Sequence, residues 1–114
     1  MRTGANGLYP GWLTQEPGRN WDLFLSTYIP MPAHPAAIAT EMGGYNKLEH
    51  FRDCVLSGSL DLSPYRLVLL ADDDLDVTGG SISAFFESAD RLGLTVSHPA
   101  QDWSGYWSLR IMLR

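Results

Sequence analysis

The chain has 114 residues, of which 45% are hydrophobic, enough for one globular domain with a modest core. Its net charge is −5, and Lys47 is the only lysine among eight basic residues, so no basic stripe is available to neutralise a nucleic-acid backbone. The single cysteine, Cys54, excludes an internal disulfide, the start MRTGANGLYPGW lacks the regions of a secretory signal, and no run approaches the roughly 20 apolar residues of a membrane span. These features place the protein in the cytoplasm by default, as one domain over residues 1–114.

Met1 to Asn20 is rich in Gly, Pro and Asn and reads as a loop with a short helical turn near Pro10 to Thr14. WDLFLSTY, Trp21 to Tyr28, mixes aromatic, aliphatic and Thr residues between Asn20 and Pro30, as a mostly buried strand does, and the first strand of the sheet is expected there. IPMPAHPAAIATEMGG has three prolines in its first seven residues and closes on Gly43 and Gly44, which predicts an exposed connection with at most one helical turn.

Asn46 followed by Glu49 resembles a capping box, with Leu48, Phe51 and Val55 recurring at helical spacing until Gly58 supplies a stop. Cys54 falls on the inner side of this helix as a packing residue rather than a nucleophile. YRLVLLA, Tyr65 to Ala71, reads as a second strand covered on both faces. Thr78 or Ser81 can cap the next helix, whose inner face is Ile82, Phe85, Phe86, Ala89 and Leu92, with Gly93 at its end. LTVSHP reads as a third strand, and the tail DWSGYWSLRIMLR as a loop entering a final strand.

Strand, helix, strand, helix, strand predicts crossovers and a parallel sheet. In such sheets ligands bind outside the carboxyl ends of the strands, a rim that here carries Tyr28, Asp72 to Asp74 and His98. The α/β pattern ends in an apolar segment with no following helix, and a sheet whose first strand starts only at Trp21 suggests a missing earlier one, so the chain reads as part of a larger unit.

LVLLADDDLDV runs an apolar segment into three aspartates and adds Asp76. Like charges at such spacing repel unless a positive charge sits among them. Asp72 and Asp74, one residue apart, can direct oxygens toward a divalent cation, one directly and one through water, and the cation can bridge nucleotide phosphates. The plainer alternative is that these aspartates cap the next turn or face water.

The stretch YRLVLLADDDLDVTGGSISAFFESADRLGLTVSHPA resembles the strand, Asp-x-Asp loop and helix of GT-A glycosyltransferases, and in particular a little-characterised family of glycosyltransferase-like proteins with a DDDL motif. WLTQEPGRNWDLFLSTY and GGYNKLEHF extend the likeness more weakly toward the amino terminus; its specificity rests on ADDDL. The resemblance implies a parallel three-layer α/β/α sheet of GT-A, Rossmann-like type, binding a nucleotide-diphosphate sugar. It implies Mn²⁺ or Mg²⁺ held by Asp72 and Asp74 with help from Asp73, and transfer of the sugar to an unknown acceptor. His98 stands where the family usually has Gln, and the acceptor-binding half that normally supplies the base of inverting members lies beyond the likeness.

Lys47, after Gly43 and Gly44 at a helix start, can meet a phosphate, as a Gly-Gly-x-x-Lys stretch of that family does; a solvated helix lysine is the alternative. His98 can approach the metal from a strand end or simply be hydrogen-bonded there. Trp103, Tyr106 and Trp107 can stack on a sugar or base, or fill a core or interface. Asp102 is the one candidate base, by chemistry and position alone. LVLLADDDLDV also looks like the first strand of a phosphoacceptor receiver domain, but no lysine follows Lys47 and only about forty residues follow Asp74, too few for the remaining crossovers. A truncated or degenerate non-catalytic domain remains the competing function, with self-association through an uncovered sheet or the Trp-rich tail.

Overall fold

A computed structural model describes residues 1–4, 6–44, 46–77 and 80–100. The elements are β1 (Arg2–Thr3), α1 (Tyr9–Gln15), β2 (Leu23–Thr27), β3 (Ala37–Met42), α2 (Lys47–Ser57) and α3 (Ile82–Arg91). The chain divides into two compact units, Met1–Ser83 and Ala84–Arg114. The first holds a parallel sheet in the order β1-β2-β3, so the protein is of the α/β class.

Leu23, Leu25, Ser26 and Thr27 of β2 are buried, three of them in succession, as in the centre of a parallel sheet covered on both faces. This central strand is the one read from WDLFLSTY. Arg2 pairs with Ser26 and Thr3 with Thr27, and the Ser26 N–H donates to Met1 O at 2.7 Å. The sheet therefore does not begin at Trp21. β1 precedes it, two residues long and too short to show any periodicity, and is defined only by its partner.

β3 corrects a second expectation. Ala37 to Met42 lies within the stretch expected to be an exposed connection, yet pairs with β2 from Leu23↔Ala37 to Thr27↔Met42, with one irregularity between Leu23 and Phe24. Ala, Glu and Met carry little strand propensity, and the ladder offered by β2 outweighs it.

Two expected strands do not form as such. Tyr65 to Ala71 belongs to no strand, and its exposure alternates: Leu67 and Leu69 are half-buried, Val68 and Leu70 exposed and Ala71 buried. The segment is covered on one face, not on both, so an apolar run was mistaken for a doubly buried strand. Leu94 to Pro99 likewise forms no strand, and Val96 is 90% exposed. The tail from Gln101 onward, with Asp102, Trp103, Tyr106 and Trp107, lies outside the described residues.

The helices follow their signals more closely. α1 has Pro10 at its start, where the missing N–H costs nothing, and buries Tyr9 and Trp12. The Asn46 side chain accepts the Glu49 N–H at 2.9 Å, and Gly58 closes α2 at φ 79°, a left-handed conformation that favours glycine. The buried face of α2 differs from the expected one. His50 and Cys54 are buried, Phe51 and Val55 only half-buried, and Leu48 is 62% exposed. α2 packs against β2, and the position facing β2 is filled by histidine because Ser26 offers it a hydrogen bond. In α3, Ile82 and Ala89 are buried, Phe85 and Phe86 half-buried, and Leu92 exposed rather than inward. Gly93, at φ 63°, ends it with the paired bonds Gly93 N–H to Asp90 O and Leu94 N–H to Ala89 O, a Schellman closure. No helix among the described residues is long and apolar enough to cross a membrane.

Candidate functional site at the carboxyl edge of the sheet

The acidic loop is fastened to the segment that follows β1. The Gly4 N–H donates to Asp73 Oδ2 at 2.9 Å, and the Leu8 N–H to Asp73 O at 2.7 Å. One aspartate thus closes the loop between β1 and α1 with both its carboxylate and its carbonyl. Gly7 sits in the same junction, and a Cβ there would overlap Thr3 Oγ1 and come within 3.2 Å of Asp73 Cβ. Farther along, the Trp12 indole donates to Leu75 O at 2.8 Å. α1 therefore holds the far side of the loop as well.

Asp72 meets a cation of the protein itself. Lys47 Nζ lies 2.7 Å from Asp72 Oδ2, with Leu70 O at 3.4 Å. Lys47 is the first residue of α2, and its position is fixed from below. The His50 Nδ1 is 2.6 Å from Ser26 Oγ, and both residues are buried. Gly44, at φ 71°, lies so close to His50 that a Cβ would overlap His50 Cβ and stand 2.9 Å from its Cα. The Gly43 N–H donates to Thr27 O at 3.1 Å, continuing the β2 edge. Two glycines thus let the turn after β3 run against the helix that presents Lys47.

The aspartates separate by role. Asp73 is half-buried and holds the loop, whereas Asp72 and Asp74 are exposed on either side of it. Tyr28, 53% exposed at the end of β2, lies beside Gly4, where a Cβ would be 3.2 Å from its ring. Of the rim residues expected from the sequence, Tyr28 and Asp73 thus flank Gly4, while Asp72 meets Lys47. His98 is exposed and belongs to the second unit. Among the described residues no group of three or more His, Cys, Asp or Glu side chains is assembled to hold a metal ion.

Magnesium and manganese commonly use one or two carboxylates together with substrate phosphates, not an all-protein cage. Asp72 and Asp74 are exposed carboxylates of the kind such a donor set uses, and Asp72 is paired with Lys47. Asp73 accepts the Gly4 N–H through Oδ2.

Ser26, His50 and Glu16 carry much of this arrangement, and none was singled out in the sequence. Glu16 Oε1 accepts the Ile82 N–H at 2.6 Å, and its Oε2 accepts the Ser83 N–H at 3.0 Å, the Ser83 hydroxyl, and the Trp21 indole N–H at 3.3 Å. Only the Gly-Gly pair preceding a capped helix carried a sequence signal for a tightly packed residue such as His50.

Compared with protein-family models, with curated proteins and with solved structures, the chain matches none.

Proposed function

We propose that this chain is the nucleotide-sugar-binding part of a glycosyltransferase-like protein of GT-A type, using a divalent cation at Asp72 and Asp74. One observation carries the reading: the acidic loop is pinned beside the end of β1 through Asp73, with the lysine of α2 against it. That is the edge of a parallel α/β sheet at which ligands bind.

In this reading Asp72 and Asp74 contribute carboxylate oxygens, and Asp73 anchors the loop that carries them through its bonds to Gly4 and Leu8. A bound Mn²⁺ or Mg²⁺ supplies positive charge against the charge that builds on a departing nucleotide diphosphate. Lys47 adds a second positive charge, and its ammonium can turn to a phosphate oxygen because its side chain is 27% exposed and sits at the loop's border. The Gly43-Gly44 turn places that lysine. No base is assigned: Asp102 lies outside the described residues.

The test is calorimetric titration of UDP and of GDP with Mn²⁺ into the protein and into Asp72→Ala/Asp74→Ala. Metal-dependent nucleotide binding that disappears in the double variant supports the reading, and binding that persists unchanged overturns it. The Lys47–Asp72 ion pair favours a second reading, in which the lysine alone offsets the acidic loop and the domain is a non-catalytic binding module. Sugar hydrolysis or transfer on the same samples separates the two.

A further inference from the structure

We propose that β3 is the pairing edge for a second copy of this chain, the two strands running antiparallel about a two-fold axis at Thr40. β3 is an outer strand of the sheet, and its register with β2 decides which of its backbone groups are left over. The Gly43 N–H donates to Thr27 O, so the regular alternation from Ala39 to Met42 turns the N–H and C=O of Ala39 and Glu41 toward β2. Those of Thr40 and Met42 point away. The Ile38 C=O points away as well, because a planar trans peptide sets it opposite the Ala39 N–H. Among the described residues none of these outward groups meets a hydrogen-bond partner.

This edge is its own complement when reversed. Across the axis Thr40 stands opposite Thr40 and exchanges both backbone bonds with it, while the Met42 N–H of each copy reaches the Ile38 C=O of the other. Ile38 and Met42, 50% and 58% exposed, then face one another as apolar cross-strand pairs. Glu41 stands opposite Ala39, so no carboxylate meets another, whereas an axis at Glu41 would set like charges against each other. The Thr40 hydroxyl is buried with no hydrogen-bond partner among the described residues, and rotation toward its counterpart supplies one. Ala37 to Met42 carries neither proline nor lysine, the residues that commonly guard an edge. The result is one continuous sheet, β1-β2-β3 running into β3-β2-β1 of the second copy.

The experiment is sedimentation equilibrium of the full chain from about 10 µM to about 1 mM, since pairing along one short strand buries less than the roughly 1,200 Å² of a standard interface and associates weakly. The weight-average mass should rise from one chain toward two across that range. Thr40→Pro removes an N–H that serves the edge and not the β2 ladder, and should weaken association about ten-fold or more. Ile38→Lys should weaken it too, and adding Met42→Glu should restore it, because each introduced lysine then faces an introduced glutamate across the axis. A natural protein that stays one chain throughout overturns the proposal, as does a Thr40→Pro protein that is folded and associates equally well. Should Thr40→Pro fail to fold, Ile38→Lys and its rescue decide. If Ile38→Lys/Met42→Glu associates no better than Ile38→Lys, the Thr40-centred pairing is wrong.

Discussion

Glu16 caps a helix to which it does not belong: its Oε1 accepts the Ile82 N–H at 2.6 Å, joining the end of α1 to the start of α3. Together with the Ser83 N–H and hydroxyl on Oε2, it satisfies donors that a helix start leaves without intrahelical partners. The carboxylate also meets the positive end of the helix dipole. With the Trp12 to Leu75 bond and the Gly4 to Asp73 bond, it ties α1 and its flanks to Asp73, Leu75, Ile82 and Ser83.

Removing that cap should cost about 1 kcal/mol, the usual worth of a helix amino-terminal cap. Glu16→Ala is expected to lower the denaturant midpoint without a change in slope, and Glu16→Gln, which keeps one acceptor, should lower it less. Partial burial pushes the Glu16 carboxyl up, but the hydrogen bonds from the Ser83 hydroxyl, the Ser83 and Ile82 amides and the Trp21 indole outweigh it and hold the group below its ordinary 4.5. A depressed folded-state value means the contribution is present above that ordinary value and is lost as pH falls through the folded one. Stability of the natural protein should therefore fall more steeply than that of Glu16→Gln as pH drops below about 4.5. Parallel pH profiles for the two would contradict the capping role.

Two glycines distinguish backbone strain from collision. Gly58 at φ 79° and Gly44 at φ 71° both sit in the left-handed region, where a side chain costs about 1 to 2 kcal/mol. A Cβ at Gly58 meets open space, whereas one at Gly44 overlaps His50. Gly58→Ala should show only the conformational cost. Gly44→Ala should cost clearly more, because the colliding atoms include backbone, and should also displace α2 and Lys47. Equal losses in chemical denaturation would show that the turn has room to yield.

The Ser26–His50 pair predicts a third loss. Ser26→Ala removes the partner 2.6 Å from His50 Nδ1 inside the sheet–helix interface, and weakening the pairing of a buried polar group costs about 1 to 3 kcal/mol. Thermal unfolding of Ser26→Ala should occur well below that of the natural protein. A midpoint within a degree of it would mean that the hydrogen bond contributes nothing to the packing of α2 on β2.

What could be read in the sequence was what local chemistry decides. Asn46, Glu49 and Gly58 bounded α2, Pro10 marked α1, and Gly93 ended α3, since caps and stops act within a few residues. β2 was legible from its own composition. β1 and β3 were not, because their strand character comes from a neighbour: Arg2–Thr3 has no pattern of its own, and Ala37–Met42 follows a proline-rich run that argues for a loop. The apolar run before the aspartates misled for the converse reason, since Leu67 to Leu70 carries the composition of a strand without a place in the sheet. At the rim, the acidic loop and Lys47 stood out by residue type, yet their 2.7 Å contact arises from elements 25 positions apart. Glu16 and His50 gave no comparable signal, because each acts through a distant partner.

Asp73 offers the sharpest test of how the acidic loop is built, because its anchoring role does not depend on its charge. The Gly4 N–H needs an acceptor at the position of Oδ2, and the side-chain oxygen of asparagine can supply one. Asp73→Asn should keep the fold close to natural stability, while Asp73→Ala should lose about 1 kcal/mol, the typical worth of one hydrogen bond. If Asp72 and Asp74 hold the metal and Asp73 only positions them, Asp73→Asn should retain Mn²⁺-dependent nucleotide binding that Asp72→Ala/Asp74→Ala loses. Asp73→Ala should bind more weakly than Asp73→Asn, because the loop is no longer tied to the end of β1. Loss of binding in Asp73→Asn with stability unchanged would instead make Asp73 a ligand and require it to leave Gly4 on binding.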